Sequence, residues 1–521
     1  MRQIVLLFLF SLLFVASAPA PAQTEVGEVS FANSGSAAAQ EPFLRGLALL
    51  HNFEYSDAAE QFRKAQAADP GFAMAYWGEA MTYNHAIWMQ QDLAAARAVL
   101  SRLGANPEAR LAKAKTERER DYLRAVEILY GDGTKEERDF RYSDAMAALH
   151  QRYPDDVDAT AFYALSLLGT AHQGRDFAIY MKSAALLEEV FPTHQHHPGV
   201  LHYLIHSYDD PIHAPLGLRA ARLYGNVAPN AGHALHMTSH IFVALGLWDD
   251  VIAANQRAMK VVDRQRAAHG QGPKTCGHYP TWLHYALLQE RRFDEARQGL
   301  EACRRMAAAE LSAAPASLDP DNSSLGSYVE MRVVQALETG RWDAAAPLAV
   351  PAGHTGARFT EAYGEALLAA AGNDPAALHA AAGRLRERQK DLLAAIGQAK
   401  STNPADRRRA EIAVRQIEAL EKIRDGKKDE GIAILRQAAE AESAMAFEFG
   451  PPAIEKPTSE LLGDELLALG RAAEAEQAYK AALARAPGRT RSLQGLLRAQ
   501  QALGQREAAQ VTQARLTRYV R

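Results

Sequence analysis

The sequence predicts an all-α protein built from helical hairpins stacked into a long array. Three observations carry this. Two histidine pairs, His202 with His206 and His236 with His240, are each spaced four apart and offset from one another by 34 residues, the period of a helical repeat. Two segments near opposite ends of the chain share one spacing of small, small, aromatic, small and proline residues. The 521 residues are 48% hydrophobic but 8% aromatic, with much alanine, which suits closely packed helices better than sheets.

Taken in order, the chain opens with a targeting pattern over residues 1–22. Arg2 is followed by the apolar run Ile4 to Val15 and by the small residues Ala18, Ala20 and Ala22. Such a run is too short to span a bilayer comfortably, and the pattern is that of a signal peptide cleaved after Ala22. The mature protein is then expected to be exported, periplasmic or secreted, and to keep no membrane span. Residues 23–41 lack periodicity and read as a flexible leader.

From Pro42 the texture changes. Gly46, Ala58, Phe62, Ala65 and Pro70 recur at the same spacing as Gly463, Ala475, Tyr479, Ala482 and Pro487. Small residues let two antiparallel helices approach, the aromatic plugs the hairpin, and proline ends the second helix. Between these segments, looser copies alternate with proline and glycine breaks. The boundaries expected are an N-terminal array at 42–312, a loop at 313–326, degenerate repeats at 327–447, a proline-broken connector at 448–460 and terminal repeats at 461–521. Within the first array, 108–140 reads as a longer charged helix with a glycine-rich turn. The dense charge of 376–428 reads as a solvated face, and the connector as a wall of the groove.

These motifs resemble the tetratricopeptide repeat (TPR) superfamily over most of residues 42–521. The resemblance implies a right-handed superhelical solenoid whose first helices line a concave groove for a protein or peptide partner. The segments AMAYWGEAM and HALHMTSHIFVALGLWDD are also similar to a bacterial exported subgroup, which brings no activity with it.

The repeat phase turns spacing into direction. It places His202, His206, His236 and His240 at groove-facing positions, with His233 and His278 at another, so all six point inward. Paired imidazoles on neighbouring helices are a metal-binding pattern. With few carboxylates nearby they favour a transition metal, zinc or copper, over calcium or magnesium. Asp209 and Asp210 stand where they can orient ligand imidazoles. A second set, His51, His85 and His172 with Trp77, Glu79 and Trp282, reads as a ligand-binding wall, Glu79 being the candidate base. His194, His196, His197 and His213 read as loop residues, and His284 as structural.

Cys276 and Cys303 bound one predicted hairpin, whose antiparallel halves bring its ends together. A disulfide and a pair of buried thiols both fit. The net charge of −4 and the lack of a polybasic run exclude nucleic acid and an anionic membrane surface. No phosphate loop, His-Glu-x-x-His, Gly-x-Ser-x-Gly or Cys-x-x-Cys motif is present, and no catalytic residue is assigned. Three functions follow: a metal-binding repeat protein, a metal-free scaffold for a peptide or protein, or a metal-dependent enzyme using the groove histidines.

Overall fold

The computed structural model describes residues 25–313, 323–342, 346–372, 374–398 and 404–518. The expected signal segment, most of the 313–326 loop and the last three residues lie outside them. Among the described residues there are 24 α-helices and one two-stranded ribbon, Asn84–His85 with Gln90–Gln91. None of these helices is long and apolar enough to cross a membrane.

The helices pair as the repeat pattern dictates. Ala37–His51 packs on Tyr55–Ala68, and the same antiparallel pairing continues to Thr490–Ala502 with Arg506–Thr517. The aromatic plug is visible in the sterics. A Cβ at Gly78 would stand 2.3 Å from the Phe62 ring, and one at Gly495 would stand 2.2 Å from Tyr479. Ala58, Phe62 and Ala65 are fully buried, as are Ala475 and Tyr479. Several helix starts carry side-chain caps, such as the Thr116–Glu119 and Thr134–Glu137 capping boxes, which satisfy amide groups that a first turn leaves unpaired.

Two expectations are corrected. The leader is not loose where it is described, because Val26 and Phe31 are buried and the Phe31 ring packs among Phe43, Trp77 and Tyr122. Its backbone is tied by Glu28 N–H to the His196 carbonyl at 3.0 Å and by the Glu25 carbonyl accepting from Asn230 N–H at 2.9 Å. One buried phenylalanine anchors a strand-like segment without leaving any periodicity in the sequence.

The concave groove is also not open along its length. The first helix ends against Pro198–Tyr208, where His51 Nδ1 meets the Tyr203 hydroxyl at 2.9 Å. At the other end the terminal repeats dock on the body. Trp248 Nε1 donates to the Gly488 carbonyl at 2.9 Å, and Thr490 N–H donates to Gln289 Oε1 at 3.0 Å. The array folds back on itself, so its inner face becomes interior.

Candidate metal centre

Three consecutive first helices of hairpins build the site: Pro198–Tyr208, Gly232–Leu245 and His278–Gln289. The first two carry few charges and are buried almost all round, because neighbouring hairpins and the returning chain cover them. His202, His206, His236 and His240 project from them into that interior and are buried. His233 is half-buried and His278 is exposed at the start of its helix.

The six histidines gather, but as two groups of three. His202, His206 and His233 bring one ligand nitrogen each within 4.8 Å of the others, and so do His236, His240 and His278. In the first group the outer ring nitrogens of His202 and His206 are held from behind. His202 Nδ1 donates to the His51 carbonyl at 2.6 Å. His206 Nδ1 lies 3.5 Å from Asp209 Oδ2. The Nε2 atoms of His202, His206 and His233 are all buried without a hydrogen-bond partner. A buried polar atom without a partner is costly, and three of them belong to this one histidine group. Burial, and then neighbouring imidazoles, push His202, His206 and His233 well below the usual histidine range, so they are neutral and can ligate.

Asp209 links the groups. Its Oδ2 also accepts from His240 Nδ1 at 3.0 Å, and Arg175 pairs with its other oxygen. Asp210 serves the loop instead, taking His213 Nδ1 at 2.9 Å and the Ile212 and His213 amides.

Several neighbours were not legible from spacing. The Phe53 ring sits 4.3 Å from that of His202, 5.6 Å from His233 and 5.9 Å from His206. Glu54 accepts from His233 N–H at 2.9 Å, and burial pushes its carboxyl up to about 7. Asn255 accepts from His236 Nδ1 at 2.7 Å. The connector covers the second group, with Phe449 5.0 Å from the His240 ring and Gly450 against Trp282. The positive φ of Phe53 and the adjoining polar turn are signals that no periodicity carries.

The second predicted set does not form a wall. Trp77 is buried in the aromatic core with Tyr122 and Phe162. Glu79 is ion-paired with Arg63 and Arg102 and bonded to Gln66, which makes it structural and not a base. His51 is enclosed, its Nε2 2.9 Å from Asp158 Oδ1, and Asp158 also meets His197 Nε2 at 3.2 Å. His172 pairs with Asp139 at 3.1 Å. His85 stacks on Tyr55 at 4.1 Å beside Trp88. Of that set Trp282 packs its ring on the site histidines, 4.6 Å from His240 and 4.8 Å from His236, and His51 meets them only through its carbonyl. His85 lies in the short ribbon and His172 in the turn after the Val157–Leu168 helix, so neither extends a helical groove face, and tight packing leaves the set no shared space. The Sγ atoms of Cys276 and Cys303 lie at bonding distance, with Cα atoms 4.4 Å apart.

No protein-family model and no curated protein matches the chain. Solved structures of similar helical arrangement include the APC/C hetero-tetramer Cut9–Hcn1, at 11% identity and TM-score 0.37 over 90% of this chain and 78% of that one. Yeast Tom70 aligns at 12% identity and TM-score 0.33, covering 90% and 96%. The TPR domain of P58(IPK) aligns at 13% identity and TM-score 0.22, covering 90% and 99%. At such scores the overlays carry no argument; what the chain itself shows is stacked helical hairpins in which Phe62 and Tyr479 pack against glycines of the neighbouring helices.

Proposed function

We propose that this helical-repeat protein binds a transition metal, zinc or copper, through His202, His206 and His233. The observation that supports it is a group of three histidines with one ring nitrogen each within 4.8 Å of the others, whose Nε2 atoms are buried without hydrogen-bond partners. Three imidazoles, two of them with their outer nitrogens held by His51 and Asp209, are a donor set for a borderline metal, and they leave a fourth position for water or a ligand. An exported setting belongs to the same proposal. It is supported by the amino-terminal apolar run and by the cysteine pair, which suits an oxidising compartment.

The test is elemental analysis of the purified full chain after loading with zinc or copper and removal of unbound ion. Bound metal is expected in the wild type and should be lost from this triad in a His202→Ala/His206→Ala variant. A wild-type chain that holds no metal after loading sinks the proposal.

A second reading, a scaffold for a peptide, has one observation in its favour. A cleft of 1530 Å³ runs between the leader and the loop before Pro198, lined by Glu28, Arg45, Arg118, Asp155 and His196. Its mixed charge fits a polar peptide, and metal binding at the histidines is compatible with it.

A further inference from the structure

The second triad has a geometry of its own. His236 Nδ1 lies 2.7 Å from Asn255 Oδ1, and Asn255 Nδ2 donates to the Val251 carbonyl at 2.9 Å. That second bond fixes the amide, so its oxygen faces His236 and the His236 proton resides on Nδ1. His240 Nδ1 faces the Asp209 carboxylate at 3.0 Å, which accepts only, so its proton is on Nδ1 as well. Both Nε2 atoms are therefore bare, and they face each other at 3.3 Å.

Two bare lone pairs at that separation cannot hydrogen-bond and repel in a buried site. The same separation is about the distance between two ligand nitrogens on a tetrahedral ion with metal–nitrogen bonds of about 2.0 Å. His278 joins His236 and His240 in a group that brings one ring nitrogen of each within 4.8 Å of the others. It stands at the exposed first position of its helix, where an ion can enter.

We propose that His236, His240 and His278 hold a second transition-metal ion, next to the one at His202, His206 and His233, making the centre dinuclear. The word dinuclear rests on the reading of the first triad; the second triad stands on its own contacts. Asp209 ties the two together by bracing one imidazole of each, and Arg175 holds Asp209 in place. The ring of His206 is 5.7 Å from that of His240, and His233 is 6.2 Å from His236, so the sites are neighbours. Six imidazoles against the one nearby carboxylate, Asp209, again favour zinc or copper over magnesium or calcium.

The experiment loads the full chain with zinc(II), removes unbound ion and counts zinc per chain. Two ions are expected in the wild type, one each in His206→Ala, His236→Ala and His278→Ala, and none in His206→Ala/His236→Ala. Because His278 is exposed, its variant keeps the count interpretable if a buried histidine variant misfolds; circular dichroism and melting check each protein. One wild-type ion that survives His236→Ala overturns the second site and spares the first, including the case of a proton shared by His236 and His240. One ion lost to a substitution in either triad overturns the pair in favour of a single shared ion. No ion in the wild type overturns both readings. Copper(II) loading adds a spectroscopic check. Two adjacent ions couple, so the wild-type resonance should be weaker than its copper content and regain full intensity per ion in His278→Ala. Full intensity in a doubly loaded wild type overturns the adjacency.

Discussion

Phe53 turns the chain between the first two helices with φ of 57°, a left-handed conformation that disfavours any side chain. The corresponding turn in later hairpins is held by Gly246, Gly340, Gly426, Gly470 and Gly504. Arg291 is the other side chain at this place, with φ of 60°, and it is exposed. The two residues carry similar strain, but only Phe53 puts a ring among the site histidines. Arg291→Gly is expected to stabilise the protein by roughly 1 kcal/mol, the relief of the left-handed strain. Phe53→Gly gains the same relief but loses a buried ring worth about 3–5 kcal/mol, for a net loss of about 2–4 kcal/mol. Urea unfolding of both variants checks this, and a stabilised Phe53→Gly would mean that the ring contributes nothing to the cluster. The histidines themselves were legible because the 34-residue offset survives translation into space. Phe53, Asn255 and Asp209's partner Arg175 were harder to see, because each acts from a turn or a second helix at no fixed spacing.

At the scale of elements, the connector between the middle and terminal repeats is the part with most to reveal. Gly450 has φ of +101° and lies so close to Trp282 that a Cβ would stand 2.4 Å from its ring. A side chain there meets both backbone strain and a clash, so the connector must lift from Trp282 and from the histidines Trp282 packs against. The strain alone is about 1–3 kcal/mol. Gly450→Val is therefore expected to keep the helical content and to speed metal removal by a chelator by about tenfold, the change that about 1.4 kcal/mol gives. An unchanged release rate would show that the connector does not limit access. Helical hairpins were legible as elements, since Gly46 with Phe62 and Gly463 with Tyr479 are local in sequence. The leader was not, since Phe31 finds its partners Trp77 and Tyr122 far along the chain.

For the whole molecule, the closure that turns a groove into an interior depends on one buried cation. Arg489 is 1% exposed. Its guanidinium reaches Glu460 Oε2 at 2.6 Å within the terminal repeats, Glu338 Oε1 at 2.8 Å in the Ser324–Thr339 helix, and the Tyr285 hydroxyl at 3.1 Å in the third site helix. Against the penalty of burial, Arg489 and Lys456 hold the Glu460 carboxyl well below its usual range. Repeat period and phase carry no information about this contact, because it joins hairpins that are far apart in the array. Removing this cation leaves Glu338 without it and Glu460 with Lys456 alone, and breaking such a buried group costs about 3–5 kcal/mol. Arg489→Met should therefore release the terminal repeats from the body while each hairpin keeps its own core. The expected signs are a larger radius of gyration in small-angle scattering and new proteolytic cuts near the connector, with little change in helical content. Glu338→Gln added to Arg489→Met removes the carboxylate left without its cation and should recover part of the lost stability. If Arg489→Met leaves the radius and the cleavage pattern unchanged, the closure is held by the remaining contacts of Trp248, Gln289 and Thr490, and the metal centre stays enclosed without the cation.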